Sequence, residues 1–391
     1  MIVRQHDIIV GLALALPWIV APLVAAWRAA GSRSLDDESP DAPSDAPLIS
    51  VIIPARDEAP NIERCLRSVL ATGYPNVEVI VVDDHSSDGT GAIAARIAAG
   101  DARVRIVVAP DLPDRWFGKP WACLTGARSA RGEVLSFIDA DTTHAPDLLT
   151  RTVNAMRSRH ADMVTVAGTQ EMKTFWEALL QPQMFALIAM RYGGTERVND
   201  SPRPSDKIAN GQFITVTRAA YDSIGGHEAV RDKVAEDLML AQRLFTAGRR
   251  TALVLGTAQL STRMYSSLGE IVRGWRKNVF AGGIDALPPF PLARLVFPFL
   301  LLALPVTELA PPLVLAGYTL GVRLPPAVLV WMLVAMAALL VGWAAIYRRA
   351  GRSPLHALAF PLGAAVLLWI FVSAIARGRR VSWKGRQYTI A

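Results

Sequence analysis

Asp139-Ala140-Asp141 closes a short apolar run, Val134–Ile138, that has the composition of a buried strand. Two carboxylates two positions apart at the end of a parallel strand can present oxygens to one divalent cation. The carboxyl ends of strands are also where an α/β sheet binds its ligands. A second apolar run, 79–82, ends in Asp83-Asp84 and leads into His85-Ser86-Ser87-Asp88-Gly89-Thr90. Further on stand Glu236-Asp237 and a basic-aromatic cluster, Arg273-Gly274-Trp275-Arg276. Acids at successive strand ends, followed by such a cluster, suit a metal-assisted transfer from a nucleotide diphosphate.

Breaking the anomeric C–O bond of a sugar nucleotide releases a diphosphate whose charge must be neutralised as it develops. Asp139 and Asp141 are the candidate ligands of a cation that does so, with Asp141 the better placed for direct coordination. A base must also take the acceptor's proton, and Glu236 and Asp237, at the start of a helical stretch, each offer a carboxylate. Standing alone, that pair would serve equally as charge complementing the helix dipole. Lys119 follows Gly118 at another helix start, where an ammonium and free backbone N–H groups can meet phosphate oxygens together.

The elements that must hold these residues alternate along the chain. Segments 48–54, 77–82, 104–108 and 133–138 read as near-continuous apolar strands. Segments 61–70, 91–99 and 120–131 read as helices between them, with Asn61 a candidate cap. This alternation predicts an α/β domain with a mostly parallel sheet covered by helices on both faces. Helices over 148–157, 175–192 and 235–247 and strands over 162–167 and 211–217 continue the pattern. Segment 267–280 is amphipathic with a basic side, suited either to a membrane surface or to packing on the domain.

The hydrophobic fraction of 52% and mean hydropathy of +0.29 are high for a purely soluble chain of 391 residues. The excess lies in four runs: 8–27, 295–322, 325–347 and 354–376. The first is long enough to cross a bilayer, and Arg28 and Arg33 follow it, which fits an anchor better than a cleavable signal peptide. Of 41 basic residues, nine follow Glu308 with no acid among them, so the remaining 32 face 34 acids. The surplus therefore belongs to membrane-flanking loops and not to a nucleic-acid surface. Cys65 and Cys123 have no metal-ligand spacing and support no disulfide framework.

The resulting division is an anchor (1–30), a solvated linker (31–47), a catalytic domain (48–266), an interface segment (267–290), membrane segments (291–376) and a basic tail (377–391). The catalytic domain is expected in the cytoplasm, on a multi-pass protein of the inner membrane. Three complete C-terminal spans would put the basic tail outside, against the charge rule. The proline-rich run 295–322 is accordingly expected not to cross in the ordinary way, with Glu308 near the interface.

Taken in order, residues 51–58 (VIIPARDE), 82–90 (VDDHSSDGT), Asp139-Ala140-Asp141, Glu236-Asp237 and the 273–276 cluster resemble the inverting family-2 glycosyltransferases of GT-A fold. The likeness extends over roughly residues 48–280. It implies a nucleotide-sugar donor such as a UDP-sugar and a Mg2+ or Mn2+ ion. Pro54, Glu58 and Asp84 would line the donor's nucleoside, Asp139 and Asp141 the metal-diphosphate, and Asp237 would be the base beside Glu236. Arg273, Trp275 and Arg276 would grip the diphosphate and the acceptor. The family's (Q/R)-x-x-R-W signature is altered here: Gly274 separates Arg273 from Trp275, and Glu270 stands where Gln or Arg is usual.

Residues 116–122 (WFGKPWA) are similar to a W-x-G-K-x-W/Y-A stretch of one subgroup, and residues 381–388 (VSWKGRQY) to its W-K-G-R-x-Y ending. Asn210-Gly211-Gln212 and Ile224-Gly225-Gly226-His227 resemble further segments of it. The subgroup includes hopanoid-associated and carotenoid glycosyltransferases and, more distantly, ceramide glucosyltransferases. The likeness implies transfer of one sugar, with inversion, to a hopanoid, carotenoid or sphingolipid-like acceptor in the bilayer. A processive polysaccharide synthase shares the same acids and cluster, and a catalytically silent scaffold binding lipid or nucleotide is the non-enzymatic alternative.

Overall fold

The structure is a computed structural model and describes residues 4–285, 287, 291–378 and 380–389. An N-terminal helix, α1 (Gln5–Arg28), precedes an α/β domain that begins with β1 (Ile49–Ala55), α2 (Ile62–Leu70), β2 (Val77–Asp83), α3 (Thr90–Ala98) and β3 (Val104–Val108). Then come α4 (Gly118–Ser129), β4 (Val134–Ile138), β5 (Thr142–His144), α5 (Leu148–Ser158), β6 (Met163–Ala167) and β7 (Thr169–Gln170). The domain continues through α6 (Phe175–Tyr192), α7 (Thr195–Asp200), β8 (Phe213–Thr217), α8 (Arg218–Ser223), α9 (Glu236–Thr246), β9 (Thr251–Leu255) and β10 (Leu260–Thr262). Four long helices follow: α10 (Leu268–Asp285), α11 (Pro291–Thr319), α12 (Pro326–Arg349) and α13 (Phe360–Arg377). The last elements are two short strands, β11 (Arg380–Trp383) and β12 (Arg386–Thr389).

Seven strands form the central sheet in the order β3-β2-β1-β4-β8-β6-β9. β1 pairs in parallel with β2 and β4, while β8 runs antiparallel to both β4 and β6. The apolar runs are continuous because both faces are covered. Val79 and Val81 of β2 enter the core under α2 and α3, whereas Ile80 and Val82 enter the core shared with α4 and α9. This is the two-residue period of a strand buried on each side. The small sheet β5-β10-β7 lies beyond the end of β4, next to the turn that carries Asp139 and Asp141.

Three local expectations change. Asn61 does not cap α2; its side-chain amide donates to Glu58 Oε2 at 3.0 Å. The strand expected over 211–217 starts at Phe213, which leaves Gly211 free in backbone for the site. The 31–47 segment is strapped to the domain instead of being a solvated linker. Leu35 is fully buried, Leu255 N–H donates to Arg33 O at 2.9 Å, and Gln259 Nε2 donates to Asp36 Oδ1 at 2.6 Å. One buried leucine with two flanking bonds is enough to hold a short polar strap.

Four helices among the described residues are long and apolar enough to cross a membrane: α1, α11, α12 and the 354–377 stretch that contains α13. α1 and α12 run parallel. Gly11 touches Val330 so closely that an added Cβ would sit 2.6 Å from it, and Gly342 faces Pro22. α11 is one continuous helix despite Pro298, Pro305, Pro311 and Pro312, as helices packed among others in a bilayer tolerate. Glu308 is only 6% exposed within this bundle.

α10 and α13 depart from the other helices in what they cover. Ile271 and Trp275 of α10 pack with Leu180 and Met184 of α6 and with Leu367 and Phe371 of α13. The apolar side of the 267–280 segment therefore faces protein, against both α6 of the domain and α13 of the candidate membrane stretch.

Candidate active site

The strand ends and two helix starts converge on one cleft of about 2170 Å³. Pro54 is the one residue of β1 that is only partly buried, Glu58 follows that strand, Asp84 follows β2, and Asp139 and Asp141 follow β4. Lys119 enters from the first turn of α4, and Glu236 and Asp237 from the first turn of α9. All of these residues line the cleft. The sequence thus named side chains from five elements that the fold brings together.

Lys119 Nζ lies 2.7 Å from Asp139 Oδ1 and 2.9 Å from Glu236 Oε1, so it ties the two acidic motifs to each other. Burial works against its charge, but Asp139, Glu236 and Asp237 outweigh that and hold the ammonium well above the ordinary lysine value. Burial likewise pushes Glu236 up, yet Lys119 prevails and keeps that carboxyl below its usual range. For Asp237 the balance falls the other way: burial and the Glu236 charge outweigh the pull of Lys119 and push it up to about 6. The adjacent acids are therefore split, one fixed as a carboxylate and one poised to take a proton.

Asp237 is oriented as well as tuned. Its Oδ2 accepts from Gly211 N–H at 2.7 Å and its Oδ1 from Leu238 N–H at 2.8 Å. Gly211 was quoted from the sequence only as part of a resemblance, and its backbone role becomes visible with the fold.

Asp141 shows what the D-x-D pair fits. Burial, Asp139 and Glu58 push its carboxyl up to about 7, and its Oδ1 is buried without a hydrogen-bond partner. A buried carboxylate oxygen beside a second carboxylate calls for a cation. No group of three His, Cys, Asp or Glu side chains that could hold a metal occurs among the described residues. Two carboxylates with remaining positions open to phosphate oxygens and water match the way Mg2+ is held on nucleotides.

The basic helix contributes unevenly. Arg273 is exposed, and Arg276 has Arg377 and Arg273 as like-charged neighbours, a concentration of positive charge on the rim of the cleft. Trp275 is 7% exposed and makes edge contacts with Phe185 and Tyr265 at 5.9 and 6.3 Å between ring centres. It is a wall of the cleft held in the core, not an open platform. Lys277, which the sequence reading passed over, faces the acids. Burial pulls its ammonium down to about 8 while Glu236 pushes it back up. The available signal was its spacing, one turn beyond Arg273 on the same face.

The Asp84 side of the cleft holds a surprise from the far end of the chain. Arg386 forks onto Asp84, Nη1 to Oδ2 at 2.5 Å and Nη2 to Oδ1 at 2.9 Å. Lys384 Nζ meets Glu58 Oε1 at 2.9 Å, and the Tyr388 ring stacks on Phe117 at 4.2 Å.

A doubly covered, mostly parallel sheet with an acidic cleft at its strand ends, split acids and a helix of basic residues defines a glycosyltransferase of GT-A type. Residues 50–225 match the model of glycosyl transferase family 2, so this part of the chain carries a glycosyltransferase domain of that family's type. It is similar to a 4,4'-diaponeurosporenoate glycosyltransferase of Staphylococcus aureus (strain MRSA252), 25% identical over 350 residues and covering 88% of each chain. Among solved structures it is similar to the mannosyltransferase PcManGT from Pyrobaculum calidifontis in complex with GDP-Man and Mn2+. That likeness has a TM-score of 0.60 and 23% identity, and it covers 95% of this chain and 98% of that one.

Proposed function

We propose that this enzyme moves a single sugar from a nucleotide-diphosphate donor to a membrane lipid, with inversion at the anomeric carbon. The observation that carries the reading is the two-sided cleft. One side holds Asp84, Asp139, Asp141 and Asp237; the other is walled by Phe185, Ile188, Phe297 and Leu301 from α6 and α11. Its volume is at least twice that of an ordinary single-ligand pocket, enough for a polar donor and an apolar acceptor together. The curated relative, named for a carotenoid carboxylate, supports an acceptor of this kind.

Within this reading Asp237 takes the acceptor's proton, held in line by the Gly211 N–H, while attack occurs on the face of the sugar opposite the diphosphate. Asp139 and Asp141 would hold a Mg2+ or Mn2+ ion, whose chemistry is to neutralise charge on the departing diphosphate. Lys119 keeps Glu236 ionised and, through its two ion pairs, fixes both Asp139 and Glu236. Lys277 and the Arg273, Arg276 and Arg377 group add positive charge on the diphosphate side.

The bilayer arrangement follows from helix ends. The end of α1 joins the domain through Arg28 Nη2 to Arg191 O at 3.0 Å, and the segment after α12 through Arg352 Nη1 to Met172 O at 2.9 Å. α13 then packs along α6 and α10, and the tail reaches the donor site. On this reading α1, α11 and α12 cross the membrane, α13 lies at its surface, and domain and basic tail share the cytoplasmic side. The non-crossing segment is α13, not 295–322. A processive synthase needs a polymer channel, whereas here Trp18 packs against Trp331 and bonds Thr307 O at 3.1 Å across the bundle. Mass spectrometry of lipids from cells with and without the gene tests the proposal: a lipid heavier by one sugar should disappear with the gene.

A further inference from the structure

We propose that the C-terminal hairpin, β11 and β12, is a working wall of the nucleotide site, with Arg386 the positioning residue for Asp84. The inference rests on the donor reading above and adds residues that lie outside the 50–225 family match.

Asp84 is 2% exposed, and a carboxylate so buried needs a cation. Arg56, the nearest cation within the domain, stands 3.9 Å away and gives its Nη1 to the Asp84 backbone oxygen instead. The partner that satisfies the carboxylate is Arg386, through a two-point fork that fixes the plane of the carboxyl group. A carboxylate held this way keeps lone pairs free for a nucleoside N–H or hydroxyl, but in one orientation only.

The turn between the strands is shaped for the same purpose. Lys384 and Gly385 both have positive φ, +44° and +80°. A two-residue turn of this kind favours Asn-Gly, and a lysine in it is strained. What the strained lysine gains is contact: Nζ pairs with Glu58 at 2.9 Å and donates to Asp57 O at 2.9 Å, while Arg56 Nε donates to Lys384 O at 3.2 Å. Strain kept at a site of ion pairing is a mark of function. On β12, Tyr388 accepts from Gly118 N–H at 3.3 Å, so the hairpin also touches the turn that aims Lys119. The hairpin thus bridges both acids expected at the nucleoside and the helix start expected at the phosphates.

The test uses the full-length protein in detergent, with UDP-glucose and GDP-mannose as donors and UDP and GDP as binding probes. Arg386→Gln should raise donor KM at least about tenfold, the loss expected for charged hydrogen bonds. It should leave acceptor KM unchanged, and Arg386→Lys should recover part of the loss. Melting temperatures without nucleotide separate this from unfolding, and Lys384→Met repeats the test at the other ion pair. An unchanged donor KM in a folded Arg386→Gln protein overturns the proposal. A lowered KM overturns it too, and makes the hairpin a lock that competes with the donor. If the wild type neither binds nor uses any of these nucleotides, the donor reading itself fails and the proposal with it.

Discussion

Gly211 N–H donates to Asp237 Oδ2 at 2.7 Å, and the approach is so close that a Cβ on residue 211 would lie 2.8 Å from the same oxygen. The carboxylate proposed as the base is aimed by a backbone group that only glycine can supply at this distance. Gly211→Ala should therefore lower turnover while the protein still folds and binds donor, which steady-state kinetics and nucleotide thermal shift would check.

Asp237→Asn removes the proton acceptor and keeps an oxygen for Gly211. Transfer should fall by about 10²–10⁴ with donor binding retained. In the wild type the rate should fall as pH drops through about 6, the value to which Asp237 is raised. The stability effect has the opposite sense. A carboxyl raised from 3.8 to about 6 binds its proton more tightly when folded. Its stabilising contribution is thus present at low pH and lost as pH rises through that window. Asp237→Asn should melt higher than wild type at pH 7 and no higher at pH 3.

Asp141 carries the unpartnered oxygen. EDTA should abolish transfer, Mg2+ or Mn2+ should restore it, and Asp141→Asn should lose both the activity and the metal-dependent rise in melting temperature. Full turnover in excess chelator would refute the cation's role.

Trp275→Ala is expected to act through packing. The ring is buried against α6 and α13, so truncation should cost about 3–5 kcal/mol of stability and depress donor and acceptor use together. Trp275→Phe should keep most of both. Selective loss of acceptor use by a well-folded Trp275→Ala would return the ring to an acceptor-binding role.

The bundle arrangement predicts labelling from one side. Both native cysteines are buried, so an added one reports alone. In intact cells Gly321→Cys, at the turn after α11, should react with an impermeant maleimide, and Thr389→Cys should not. The reverse pattern would contradict α13 as the non-crossing segment.

The sequence displayed what depends on local pattern. Apolar runs located β1, β2 and β4, and the acids that end the last two gave Asp84, Asp139 and Asp141, because a strand buried on both faces leaves a continuous signature. Glu236 and Asp237 were legible as a helix start, and the resemblance singled out Asp237 as the base, but the pairing of Glu236 with Lys119 reaching across from α4 was not legible. Trp275 and Lys277 sit two residues apart on one helix and face core and cleft respectively, a distinction set by what packs on α10. The pairing of Asp84 with Arg386 spans 302 residues. No periodicity encodes such a contact; it follows from the path of α13 along the domain. The strap at Leu35 was hidden for a similar reason, a single apolar residue within a polar stretch.

The central claim is transfer of one sugar to a lipid, and radiolabelled donor tests it most directly. Purified protein in detergent micelles would receive labelled UDP-glucose or GDP-mannose together with a membrane lipid extract, beside an Asp237→Asn control. The account predicts label in the organic phase as a lipid bearing one sugar, with wild type only. Label in a polymer, or on a water-soluble acceptor with the organic phase empty, would contradict it.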